Sequence, residues 1–223
     1  MLLRATVIAL AIVSGSASAE IVLTVPNGHA YRLGGVSDWK TRRDRAIVKQ
    51  DFDFSCGASA MATLLQGAFG FPITELQLLE LMDKQNGRAS FEDMAHALKK
   101  LGFQAQGYSA TFSQLSKLKV PVILYVKNRK YDHFTVLRGI NRETIWLADP
   151  STGHQTLSRH QFLAMWETDP PPANGANRRG RFLAVLPRDN SALNSKFFEL
   201  NPKRLSQPAM WQLSLERNLK YGQ

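Results

Sequence analysis

The order of elements along the chain predicts an α+β fold, helices first and an antiparallel sheet second. Two observations carry this. Between residues 55 and 102, apolar residues recur at helical spacing behind Ser and Thr capping positions. From residue 120 onward, short apolar runs are separated by turn signals, which is the rhythm of strands. The length of 223 residues suits one domain with tails, and 44% apolar with 21% charged residues excludes a wholly disordered, collagen-like or disulfide-dense chain.

The start of the chain reads as targeting. Met1-Leu2-Leu3-Arg4 is a short positive start, Ala5 to Val13 an apolar run, and Ala17-Ser18-Ala19 an A-x-A cleavage site. This pattern predicts a signal peptide over residues 1–19, with Glu20 the first mature residue and the periplasm the expected destination. No later stretch approaches ~18 apolar residues, so no integral membrane segment is expected in the mature chain. Residues 20–45 form an N-terminal extension, in which Ile21 to Val25 reads as an edge strand before a Pro26-Asn27-Gly28 turn. Lys40, Arg42, Arg43, Arg45 and Lys49 make a basic segment that reads as a solvated face. The formal net charge of +10 contains no run of five basic residues, so no nucleic-acid partner is expected.

The remaining elements follow in order. Ser55 to Leu65 is small and apolar, a buried helix opening at or just after Cys56. Thr74 caps a second helix with Leu76, Leu79 and Met82 at helical spacing, and Ser90 caps a third with Phe91, Met94, Ala95 and Leu98 on one face, closed by Gly102. Val120 to Val126 is a strand, Lys127 to Lys130 a turn, His133 to Ile140 the next strand, and Thr144 to Ala148 another. Asp149 to Gly153 is a tight turn, Ser158 caps a short helix through Trp166, Pro170 to Asn177 is a loop, and Arg181 to Leu186 is the last strand. Residues 188–223 read as a polar tail, with helical character from Pro208 to Tyr221.

Cys56 is the only cysteine, so it closes no disulfide within the chain. At a helix start it lies against the positive end of the helix dipole, which favours thiolate, and Gly57 beside it leaves room for a substrate backbone to approach. A nucleophilic thiol needs a base. Of histidines 29, 96, 133, 154 and 160, only His133 opens an apolar strand, where a titratable group is costly unless used or paired. Asp149, at the end of the following strand, returns toward His133 as an orienting carboxylate, although an Asp-Pro turn former is the plainer reading of that residue alone. Gln50, six residues before Cys56, offers a side-chain amide that can join the Cys56 backbone N–H as an oxyanion donor. No spacing pairs Cys56 with a neighbouring His, so neither a metal nor another cofactor is expected.

Three stretches together go further: Gln50-Asp51-Phe52-Asp53-Phe54-Ser55-Cys56-Gly57-Ala58, Asp132-His133-Phe134-Thr135-Val136-Leu137, and Asp149-Pro150-Ser151-Thr152-Gly153. In this order they resemble the bacteriocin-processing, double-glycine-leader cysteine peptidase family. The resemblance covers residues 46–187 and implies a papain-like fold, with Cys56 as nucleophile, His133 as base, Asp149 as its partner, Gln50 at the oxyanion, and Gly57 and Asp132 beside the substrate. Ser55 stands where many relatives carry Asp, and no Walker motif accompanies the domain. In size and layout the chain is also similar to the peptidase-like component of functional-amyloid export systems. The implied partner is an exported polypeptide, an amyloid subunit or secretion component. The contrasting reading is a peptidase-like module that binds such a polypeptide without cutting it. The chain's own Leu33-Gly34-Gly35 reads as a turn rather than a self-cleavage site.

One geometric expectation can be stated in advance. In an antiparallel hairpin, His133 and Asp149 share a sheet face only if residues whose numbers sum to an even total stand opposite each other. A two-residue turn at Asn141-Arg142 puts them on opposite faces. An odd-length loop or a bulge is therefore required.

Overall fold

The computed structural model describes residues 21–24, 30–33, 39–83, 88–128, 131–170, 179–187 and 193–199. Two units emerge, residues 1–42 and 43–223. The signal peptide over 1–19, Gly34-Gly35, the Pro170–Asn177 loop beyond its first residue and the 208–221 segment lie outside the described residues. In the first unit, β1 (Ile21–Thr24) and β2 (Ala30–Leu33) pair antiparallel; Val25 and the expected Pro26-Asn27-Gly28 turn lie outside the described residues.

The second unit begins within the short helix α1 (Trp39–Asp44). It contains α2 (Cys56–Phe69), α3 (Glu75–Leu81), α4 (Phe91–Lys100), β3 (Phe103–Ala110), α5 (Phe112–Leu115), β4 (Val122–Asn128), β5 (Tyr131–Ile140), β6 (Thr144–Asp149), β7 (Gly153–Ser158), α6 (Arg159–Trp166) and β8 (Gly180–Pro187). The six strands from β3 to β8 form one antiparallel sheet in the order β3-β8-β4-β5-β6-β7. Thr74, Ser90, Thr111 and Ser158 each close a reciprocal capping box with the residue three positions on, which fixes where α3, α4, α5 and α6 begin.

The sheet is buried on both faces. Strand alternation sends Val122, Leu124 and Val126 of β4 into a core with Phe112, Leu115, Phe162 and Trp166, while Ile123 faces the core beneath α2, α3 and α4. Every residue of α2 from Cys56 to Leu65 is buried, so this helix is apolar all round and lies inside the domain. On α3 the buried face is Glu75, Leu78, Leu79 and Met82; Leu76, expected on that face, is 56% exposed.

The sequence pattern leaves β3 and β7 unassigned; both are edge strands, polar on their open sides and poor in β-branched residues, so alternation alone does not betray them. His154 lies in β7 and His160 in α6. β4 continues to Asn128 and β5 begins at Tyr131, shortening the turn between them. The described part of the 188–223 segment is packed, not a free tail. Phe197 and Phe198 are buried, Asn194 N–H donates to the Ala68 carbonyl at 2.8 Å, and Glu199 bridges Gly139. Gly67 and Gly139 have no side chain because Phe197 and the Glu199 backbone fill that space. The compact unit thus runs from Arg43 through at least Glu199, wider than 46–187.

Candidate active site

Cys56 is the first residue of α2. Its predecessor Ser55 makes no side-chain cap; its Oγ donates instead to the Phe52 carbonyl at 2.8 Å, closing the turn that delivers the cysteine. The thiol is 4% exposed. Burial pushes its pKa up, but a hydrogen bond and charge interaction with His133, aided by the backbone N–H groups of Phe134 and Gly57, bring it below the usual thiol value.

His133 and Asp149 meet because of a bulge. The β5–β6 hairpin turns through Arg142-Glu143, with the Asn141 N–H donating to the Thr144 carbonyl at 2.9 Å. That two-residue turn sets Ile140 opposite Ile145 and Gly139 opposite Trp146, an odd sum that would separate the two side chains. At Arg138 the register shifts by one, so Leu137 faces Leu147 and Val136 faces Ala148. Continued along the strand, the even sum places His133 diagonal to Asp149 on one face, and His133 Nε2 lies 2.7 Å from Asp149 Oδ2. The bulge is itself held: Arg138 Nε donates to the Phe197 carbonyl at 2.5 Å, its guanidinium stacks 3.9 Å from the Phe197 ring centroid, and burial lowers its pKa to about 10.

With Nε2 committed to Asp149, the ring nitrogen available to Cys56 is Nδ1. Burial opposes a charge on His133, but hydrogen bonds to Asp149 and Cys56 outweigh it and raise the pKa to about 9. For Asp149 burial likewise opposes charge, and the hydrogen bond and charge of His133, with support from Ser151 and Thr152, hold the carboxylate well below its usual range. Asp149 Oδ1 accepts from the Ser151 N–H at 3.0 Å and Oγ at 2.6 Å, and from the Thr152 N–H and Oγ1, each at 2.9 Å. Thr152 in turn accepts from Gln155 Nε2. The two hydroxyls are carboxylate holders that the turn reading of Asp149–Gly153 overlooked. A signal existed, since Ser and Thr two and three residues after an Asp are placed to bond its side chain.

The other residues singled out from the sequence are placed less simply. Gln50 lies in the loop before α2; its Nε2 donates to the Phe52 carbonyl at 3.0 Å, while Oε1 is buried with no hydrogen-bond partner. The Gln50 amide is thus engaged through Nε2 with its own loop, leaving one further N–H on that nitrogen. Gly57 does not open a path for a substrate backbone. A Cβ there would lie 3.3 Å from Ala89 and 3.4 Å from both Met94 and Phe134, so the glycine lets those side chains close on α2. Asp132, next to His133, is exposed, but its Oδ1 accepts from Tyr125 Oη at 2.5 Å and its carbonyl from Arg88 Nη1 at 3.2 Å. That carboxylate is tied into the β4–β5 pair. Buried Glu75 was not singled out, yet its carboxylate accepts the Asp51 N–H at 3.1 Å and pins the loop between Gln50 and Cys56.

A thiolate-favouring helix start, a carboxylate-bound imidazole and this strand order find a match among known proteins. Residues 44–169 match the Peptidase C39 family, more than half the chain. The chain belongs to that family of cysteine peptidases. It is 33% identical over 171 residues to the Pseudomonas fluorescens protein named "Probable functional amyloid protease FapD", covering 73% of this chain and 76% of that one. The Pseudomonas aeruginosa protein of the same name is 31% identical over 189 residues, covering 74% and 83% respectively. Among solved structures, the peptidase domain of Streptococcus ComA superposes with a TM-score of 0.53 at 20% identity, covering 63% of this chain and 97% of that domain. That likeness establishes the papain-like α+β fold. Among the described residues, no helix is long and apolar enough to cross a membrane.

Proposed function

We propose that this C39 peptidase is an exported, periplasmic enzyme that hydrolyses a peptide bond in an exported polypeptide, with Cys56, His133 and Asp149 as its catalytic triad. The observation that carries the roles is the unbroken line from Cys56 through His133 to Asp149 Oδ2, ending in an oxygen pair saturated by donors. The Cys56 thiolate attacks the scissile carbonyl carbon, and the carbonyl electron pair moves to oxygen. The second Gln50 N–H and the Cys56 backbone N–H receive that negative charge. The imidazolium of His133 gives its proton to the departing amine as the C–N bond breaks, leaving a thioester. Water then adds to the thioester, His133 takes its proton, and the acid is released as the thiol leaves. Asp149 holds the ring orientation and stabilises its charge without itself taking the proton.

The substrate reading rests on the relatives. Two proteins named for functional amyloid are alike over about three quarters of this chain, which favours an amyloid subunit or a component of its secretion. The A-x-A site at Ala17–Ala19 supports export before the enzyme meets its substrate. A peptidyl fluoromethyl ketone tests catalysis directly. The wild type should be covalently modified at Cys56 and Cys56→Ser should not; an unmodified wild type would favour the binding-module reading. Comparing exported proteins from cells with and without the chain should reveal a fragment that depends on Cys56.

A further inference from the structure

In the basic stretch before the nucleophile Lys40, Arg42 and Arg45 are exposed, as expected of a solvated face, while Arg43 and Lys49 are half-buried. Residues Arg43 to Gln50 run along the turn that holds Asp149. The side chains of Arg43 and Asp44 fill the space a Cβ of Gly153 would occupy, and Gly153 has φ +89°, a conformation suited to glycine. His154 Nε2 lies 2.9 Å from the Arg45 carbonyl. Lys49 Nζ donates to the Ser151 carbonyl at 2.8 Å, and the Gln50 N–H donates to the Pro150 carbonyl at 3.2 Å. The pairs 49–151 and 50–150 run antiparallel, so two short segments are zipped together. One carries Gln50. The other carries Asp149, whose Oδ1 is bound by Ser151 and Thr152.

We propose that Lys49 is a positioning residue, whose ammonium on the Ser151 carbonyl holds the Gln50 strap in register with the Asp149 turn and so aligns the oxyanion donor with the base. This rests on the triad and oxyanion roles given above. The charge-assisted bond is stronger than the neutral Gln50–Pro150 bond beside it, and Lys49 is also 3.7 Å from Asp44 Oδ1, which fixes the ammonium between α1 and the turn. The Lys49 contact acts on backbone, and the charges that set the pKa of His133 are those of Asp149 and Cys56, so the loss of Lys49 bears first on the placement of Gln50. Errors of about 1 Å in such placement are worth up to roughly a hundredfold in rate.

Two thiol probes separate alignment from reactivity. Acetyl-glycyl-glycinal adds reversibly: Sγ bonds to the aldehyde carbon, the carbonyl electron pair becomes an oxyanion held by the oxyanion donors, and His133 supplies the proton that completes the hemithioacetal. Iodoacetamide alkylates Sγ by displacing iodide and forms no oxyanion. Lys49→Met should weaken the aldehyde by about tenfold or more, in the same direction as Gln50→Ala, while the iodoacetamide rate between about pH 5 and 9 keeps its wild-type profile. Lys49→Arg, which restores a donor, should recover most of the aldehyde affinity. Wild-type aldehyde affinity in Lys49→Met, parallel loss of both reactions, or an unaffected Gln50→Ala would each overturn the proposal. A wild type that alkylates only as an ordinary thiol would instead defeat the triad reading, and this proposal with it.

Discussion

His133, on β5, is buried and His154, on β7, is partly buried, yet burial ends in opposite outcomes for them. At His154 burial prevails over the Arg45 carbonyl, which lies 2.9 Å from Nε2, and over a weaker pull from Asp44, and the pKa falls below its ordinary value. At His133 burial acts in the same direction but loses to Asp149 and Cys56, and the pKa climbs to about 9. Two neighbouring hairpins of one sheet therefore make one neutral and one charged imidazole. The difference is not depth but a carboxylate in direct contact, and the bulge at Arg138 is what brings Asp149 onto the face of His133. Strand position selects a candidate base; register determines whether it can work.

Removing the carboxylate's charge should make the two sites alike. In Asp149→Asn, Ser151 and Thr152 can still bond Oδ1, so the turn is retained, but His133 is left with burial and the cysteine alone. Turnover should fall by roughly 10³–10⁴, as when a triad loses its tautomer-setting carboxylate. The Cys56 alkylation profile should move toward that of a free thiol, about pH 8.5. Retention of low-pH alkylation in Asp149→Asn would break the comparison, because some other group would then be holding the imidazolium.

How much of this was legible beforehand depends on which physical signal each feature carries. Capping residues announce themselves locally, and Thr74, Ser90 and Ser158 mark their helices in the sequence and in the structure alike. The parity of the β5–β6 hairpin could be argued from numbering alone, which required an odd loop or a bulge without saying where; the structure places the bulge at Arg138, where Phe197 supplies the carbonyl that anchors it. That partner is 59 residues away, and no local pattern encodes such a contact. The edge strands β3 and β7 were hidden because one open side lets them stay polar. Gly57 was misread for a related reason: a glycine beside a nucleophile suggests substrate access, but whether its empty side is filled by Ala89, Met94 and Phe134 is a tertiary fact. Arg43 and Lys49 likewise look solvated until the turn their side chains lie against is in place.

The clamp on the bulge gives a second test, smaller and of a different kind. Phe197 is buried against Gly67 and beneath Arg138, so Phe197→Ala should cost about 3 kcal/mol of stability by urea denaturation. If the bulge depends on this contact, the variant should also lose low-pH alkylation of Cys56. If stability falls and the alkylation profile does not, the register shift is set within the hairpin and the 193–199 segment only covers it.

The pH dependence of stability sharpens the comparison further, because the two histidines contribute with opposite signs. The folded pKa of His133, about 9, lies above its unfolded value of about 6.5, so its contribution is complete below about pH 6.5 and is lost as pH rises through 9. Asp149 is depressed, so its contribution is complete above about pH 4 and is lost as pH falls through the folded value. The stability difference between wild type and His133→Ala, followed by urea midpoints, should therefore be greatest in the mildly acidic range and shrink toward pH 9. A difference that instead grows with pH would mean that His133 is neutral in the folded protein.

The smallest expected effect belongs to His154, and its sign is the informative part. Its folded pKa lies below the unfolded value, because burial and the nearby Arg138 charge disfavour protonation more than the Arg45 carbonyl favours it. The folded state thus binds this proton less readily than the unfolded chain. The contribution is complete above about pH 6.5 and is lost as pH falls through the folded pKa. His154→Gln keeps a donor for the Arg45 carbonyl and removes the titration. Compared at about pH 7 and pH 5, the variant should lose less of its urea midpoint on acidification than the wild type does, although its stability at pH 7 is slightly lower because the Trp146 ring, 5.3 Å from the imidazole, loses an aromatic neighbour. An identical acid response in the two proteins would show that His154 titrates alike folded and unfolded. Partner charge would then still account for His133, but burial outweighing weaker partners would no longer describe its neighbour.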